Sequence, residues 1–114
     1  MNIKDLFTTD NSVSAQSLFK SESGNATVIQ IQAGGKLKEH TSKTAALLIC
    51  IRGHAVFGDE KGVHQPLHFG DYVHIEPMVI HWIEGIDDSQ FILIKEKKGA
   101  TVAILDSNEI KYCL

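Results

Sequence analysis

At 114 residues, 43% of them hydrophobic and 22% charged, the chain is sized and composed for one soluble globular domain spanning residues 1–114, with no room for a separate catalytic or DNA-binding domain. The formal net charge of −3 comes with Lys and Arg scattered between acidic residues, so nucleic acid is not an expected partner. The first seven residues include Asp5 and no apolar leader core, and no stretch approaches the length of a bilayer span, so a cytoplasmic protein without a membrane partner is expected.

Apolar runs of strand length recur throughout, each closed by Gly, Pro, Asp or Asn, and no helical period persists, which predicts an all-β chain. A short turn is expected around Ile3 to Phe7, then a strand from Gln16 to Lys20 and a turn from Ser21 to Asn25. From Thr27 to Gln32, Ile29 and Ile31 alternate with Gln30 and Gln32, the pattern of a half-buried strand. Gly34 and Gly35 break the chain before a strand from Leu37 to His40. The continuous apolar run from Ala45 to Ile51 reads as buried on both faces and ends at Gly53. Strands from His54 to Phe57 and Val63 to Leu67 flank Asp59-Glu60-Lys61-Gly62, which reads as a hairpin turn. Phe69-Gly70-Asp71 makes another turn, Tyr72 to Glu76 a strand, Pro77 an interruption, and Ile80 to Ile83 a further strand. The last two strands, Phe91 to Lys95 and Thr101 to Leu105, are separated by the polar turn Glu96-Lys97-Lys98-Gly99. Short antiparallel strands at this spacing predict a sandwich or a barrel, whose closure removes exposed edges.

Cys50 lies inside an apolar run and Cys113 next to the last residue, so the two thiols suggest neither a disulfide framework nor a zinc pair; Cys50 reads as a small buried hydrophobe.

Two glycine frames carry histidines. Gly34, five residues, His40-Thr41-Ser42, three residues, Ala46, six residues and Gly53 form the first; Gly70-Asp71, a strand, Pro77 and His81 form the second. Together they resemble the cupin superfamily, in particular its small single-domain members of the conserved-barrel type, over residues 15–105. The resemblance implies an all-β jelly-roll, or double-stranded β-helix, barrel. It also shows departures: Ser42 stands where the first motif has its second His, Ala46 where it has Glu, and Met78 where a Gly is common in the second. Two of the four usual metal ligands remain, His40 and His81.

Alternate residues of a strand share a face, so a barrel would aim His40 and His81 into one interior, and the same parity adds Ser42, Ala46, Leu48, Cys50 and Ile83 to the lining. That is a small, largely apolar pocket suited to a neutral or anionic small molecule. Serine is a poor ligand for divalent metals and alanine none, so the expected cofactor is none or a weakly bound divalent ion such as Zn, Fe, Ni or Mn. The blander reading makes both histidines core residues satisfied by hydrogen bonds alone.

Parity turns His74 outward with Tyr72 and Glu76, while Val73 and Ile75 face the core. Glu39 and Glu84 have the wrong parity to join the pocket. His54, His64 and His68 read as surface histidines without a special role, and Trp82 as a residue packing on the opposite face. Three functions compete: a barrel binding a small organic ligand without a tight metal, a metal-dependent enzyme of dioxygenase, isomerase or decarboxylase type using His40 and His81, and a purely structural or interaction role. The resemblance also implies a homodimer, for which Leu18 and Phe19 together with Ile110 and Leu114 are expected to supply the contact.

Overall fold

A short 3-10 turn at Ile3–Leu6 opens the chain, with the Lys4 amide donating to the Asn2 side chain at 2.9 Å. The computed structural model describes residues 1–7 and 10–97, so the expected strand from Thr101 to Leu105 and the end of the turn before it lie outside the described residues. Strands β1 (Val13–Lys20), β2 (Gly24–Ile31), β9 (Ser89–Glu96), β4 (Ala46–Arg52) and β7 (Tyr72–Ile75) form one sheet in that spatial order. Strands β3 (Lys36–His40), β8 (His81–Gly85), β5 (Ala55–Asp59) and β6 (His64–Leu67) form the second. Every pairing is antiparallel. After β2 the chain changes sheet at each connection except the β5–β6 hairpin, the winding of a double-stranded β-helix.

Several strands run further than their apolar residues suggest. β1 begins at Val13, because Val13 pairs with Ile31, and β2 begins at Gly24, inside the expected turn, because Gly24 pairs with Glu96. β5 continues to Asp59, which pairs with His81, so the hairpin turn starts later than the acidic sequence indicates. In each case a ladder partner holds residues whose own propensity favours a turn.

The inner faces meet in a core that includes Ile29, Ile31, Leu48, Cys50, Phe57, Leu67, Ile83 and Phe91. At about 1.5–3 kcal/mol for each large apolar side chain removed from water, this cluster dominates the stabilisation. β4 corrects the expectation of burial on both faces. It alternates, with Ala46, Leu48 and Cys50 buried while Leu47 and Ile49 are half-buried on the outer face.

The frame glycines Gly34, Gly53 and Gly70 adopt φ of 82°, 88° and 88°. At Gly53 a Cβ would also collide with the Asp88 carbonyl and the Ser89 side chain, so the turn closing β4 requires glycine twice over. Among the described residues no helix is long and apolar enough to cross a membrane. Leu18 and Phe19 are exposed on β1, whereas Ile110 and Leu114 lie outside the described residues.

Candidate ligand site at the barrel mouth

His40 ends β3 and His81 begins β8, and the two are direct partners in the ladder. A register shift between Leu37 and His40 inserts an extra residue into β3, which returns His40 to the inward face shared by Leu37. The imidazole centroids lie 4.2 Å apart with planes at 60°, and Phe57 stacks on His81 at 5.9 Å and 22°.

Each ring is anchored by the same local device. His40 Nδ1 lies 2.7 Å from the Lys38 carbonyl oxygen and His81 Nδ1 2.9 Å from that of Val79. A carbonyl can only accept, so in both rings Nδ1 carries the hydrogen and donates, which leaves the Nε2 of a neutral ring as an acceptor. His81 is 4% exposed, and burial pushes its pKa below the ordinary 6.5. Lys95 and the neighbouring His40 ring act in the same direction, and the Val79 carbonyl and Asp59 oppose them. The mouth therefore presents a neutral His81 imidazole at physiological pH.

The register brings in further groups. On the four-stranded sheet the mouth row is His40, His81 and Asp59. On the other sheet the corresponding inward row is Asn25, Lys95, Ala46 and Ile75. Asp59 Oδ1 accepts from the amides of Lys61 and Val63 at 2.9 and 3.0 Å, which fixes its carboxylate beside the turn. A cavity of about 130 Å³ lies against Phe57, Asp59, Val79 and His81 and also against Lys61, His74 and Glu76, so its lining mixes core-facing and outward residues and does not include His40. On the other side of the histidine pair, His40 lines a shallow groove of about 580 Å³ with Val13, Lys36 and Leu37.

The remaining expected lining residues are distributed differently. Ser42 is buried, but its hydroxyl donates to the Thr44 carbonyl at 3.0 Å and so is committed to its own turn. Ala46 brings a methyl group to the mouth row. Leu48, Cys50 and Ile83 face inward as parity requires, yet sit below the mouth in the packed core. Burial raises the Cys50 thiol pKa, and Sγ contacts the Arg52 carbonyl at 3.5 Å. Such a thiol is an inert core group.

Asp59 and Lys95 were not among the expected site residues. The alternation Phe91, Leu93, Lys95 could have revealed Lys95, because its two predecessors are apolar and inward. Asp59 was hidden by its place in a turn-like tetrapeptide.

Outside the mouth, Tyr72 and His74 meet edge-on at 5.7 Å on the outer face of β7, and Glu76 Oε2 pairs with Lys61 Nζ at 2.6 Å. Trp82 lies over Gly58, its ladder partner, where a Cβ would come within 2.6 Å of the indole. His64 is exposed, but His54 and His68, expected as unremarkable surface residues, stack at 4.2 Å with planes at 18°.

The donor set does not fit a resident divalent ion. Ser42 is turned to its own main chain, Ala46 has no donor, and no group of three or more His, Cys, Asp or Glu converges among the described residues. Two imidazoles fall short of the three or four protein ligands that hold such ions tightly.

No protein-family model matches the chain, and no curated protein does. Solved structures do. An RmlC-like cupin from Desulfovibrio desulfuricans superposes with a TM-score of 0.74 at 13% identity, over 83% of this chain and 92% of that one. A cupin superfamily protein from Desulfitobacterium hafniense gives 0.73 at 18% identity, over 82% and 84%. The DMSP lyase DddQ from Ruegeria pomeroyi gives 0.72 at 19% identity, over 80% of this chain and 50% of that one. The chain thus has the double-stranded β-helix fold of the RmlC-like cupins. Because that fold carries a lyase as well as proteins described only by their architecture, chemistry has to be argued from the mouth itself.

Proposed function

We propose that this cupin barrel binds a small organic ligand at its mouth through His40 and His81, without a tightly held metal. The observation that carries the reading is the pair of anchored imidazoles: both Nδ1 atoms are tied to the main chain, and of the two adjacent rings His81 lines a cavity of about 130 Å³ and His40 a neighbouring groove. Fixed acceptors on rigid strands are a recognition device, since their orientation costs nothing further when a ligand arrives. Mass spectrometry of small molecules released from gently purified protein tests this. The expected result is a species enriched on the wild type and lost from the His40→Ala, His81→Ala double variant. Identical profiles for the two proteins would sink the reading.

A second reading, a metal-dependent enzyme using His40 and His81, draws on the same anchoring, because metal-ligating histidines commonly donate their other ring N–H to a carbonyl. It requires donors supplied by the substrate. A stoichiometric Zn, Fe, Ni or Mn retained by the wild type and lost in each single alanine variant would favour it over the first.

A further inference from the structure

We infer that the barrel carries a second site, on the outer face of the five-stranded sheet, that binds a small polar α-amino acid: Arg52 holds its carboxylate and Asp88 its ammonium group. The site is independent of the mouth and shares no residue with it.

Arg52 is the only arginine in the chain. Alternation from buried Cys50 would turn it inward, but a register shift between Cys50 and Arg52 adds a residue to β4 and pairs Arg52 with Gln90. Gln90 precedes the inward core residue Phe91 and therefore faces outward, and its other ladder partner is Gln30. Gln30, Gln90 and Arg52 thus form one row across β2, β9 and β4, and with Gln32, Asp88 and Ser89 they line a single cavity of about 210 Å³. Gln90 is 7% exposed and bonds its carboxamide to that of Gln30 at 3.3 Å. Whichever way the two amides are turned, this bond uses one N–H and one oxygen, so donors and an acceptor remain for a ligand. Ser89 contributes none, because its hydroxyl bridges main-chain atoms of His54 and Asp87.

The charges select the class. Arg52 and Asp88 stand on the exposed rim of the cavity with opposite signs, yet no ion pair joins them to each other or to another side chain among the described residues. Asp88 Oδ1 accepts from the Ala33 amide at 2.8 Å, which fixes the carboxylate and leaves Oδ2 open. Two unlike charges held apart across one small cavity match a ligand that carries both. A guanidinium takes a carboxylate through two parallel hydrogen bonds. A carboxylate ligand without an amine would meet Asp88 unneutralised, and an amine without a carboxylate would meet Arg52. The carboxamides add hydrogen bonds to a polar side chain, and a volume below the roughly 300 Å³ of drug-sized sites limits the ligand to one residue.

Three probes separate the two charges: L-serine, 3-hydroxypropionate, which lacks the amine, and ethanolamine, which lacks the carboxylate. Each is titrated into the full chain while the side-chain amide resonances of Gln30, Gln32 and Gln90 are followed by NMR. L-serine is expected to move these resonances, to leave those of the His40 and His81 rings in place, and to bind about tenfold or more tightly than either fragment. Arg52→Met should weaken L-serine about tenfold or more, and Arg52→Lys should restore part of the loss. Asp88→Asn keeps an acceptor for the Ala33 amide but loses the charge, so it should weaken L-serine while 3-hydroxypropionate binds no less well. Circular dichroism of each variant confirms its fold. Equal L-serine affinity in the wild type and Arg52→Met, or 3-hydroxypropionate binding as tightly as L-serine, would overturn the assignment. So would titrations in which no probe moves the glutamine resonances.

Discussion

The barrel holds two histidine pairs with the same centroid separation, 4.2 Å, at opposite ends of β5, and they behave as different objects. At the mouth, His40 and His81 meet at 60°, each tied through Nδ1 to a carbonyl two residues back, with Phe57 against His81. At the far end, His54 and His68 lie nearly parallel at 18°, His68 is exposed, and its Nδ1 stands 3.7 Å from Asp71 Oδ2. Ring proximity alone therefore does not make a site. Anchoring to strands, the burial of His81 and its adjacent cavity separate the pair proposed to recognise a ligand from the pair that covers a turn.

The comparison can be broken by substitutions that should affect one pair and spare the other. Phe57→Ala should have the largest effect, a loss of about 3–5 kcal/mol in urea unfolding, because it empties a core position and removes the support of His81. The His40 and His81 resonances should broaden while those of His54 and His68 hold. His81→Ala should cost about 1–3 kcal/mol, since it leaves the Val79 carbonyl without its donor and opens space beside Phe57. His68→Ala should change stability by no more than about 0.5 kcal/mol, as an exposed substitution away from the core does. A larger cost there than at His81 would reverse the ranking of the two pairs.

Acid sharpens the contrast. The folded-state pKa of His81 lies below its ordinary 6.5, so between the two values the unfolded chain binds a proton that the folded chain refuses. The stability linked to this group is fully present above pH 6.5 and is lost as the pH falls through the folded value. Unfolding measured at neutral and mildly acidic pH should show a smaller decline for His81→Gln than for the wild type. An equal decline in both would place the acid sensitivity elsewhere.

Much of this arrangement was legible beforehand, in uneven fashion. The glycine frames located both mouth histidines, and alternation gave the correct face for Leu48, Cys50 and Ile83. Parity assigns a face but no depth, which is why those three proved to be core below the site. Asp59 was obscured because four turn-forming residues outweighed the Phe57-to-Asp59 alternation, and the β8 ladder decided otherwise. The His54–His68 stack joins residues from separate elements, a contact that no local pattern encodes.

Met78 shows how the mouth is held. It has φ of 65°, a conformation that costs a residue with a side chain roughly 1–2 kcal/mol. Its amide donates to the Ser42 carbonyl at 2.8 Å, joining the segment before β4 to the segment before β8. Glycine at position 78 would relieve the strain but give back about 0.5–1 kcal/mol as extra freedom of the unfolded chain. The two quantities leave glycine ahead by about 0–1.5 kcal/mol, so the bend leading into His81 is held by its backbone hydrogen bond against the conformational preference of its own side chain.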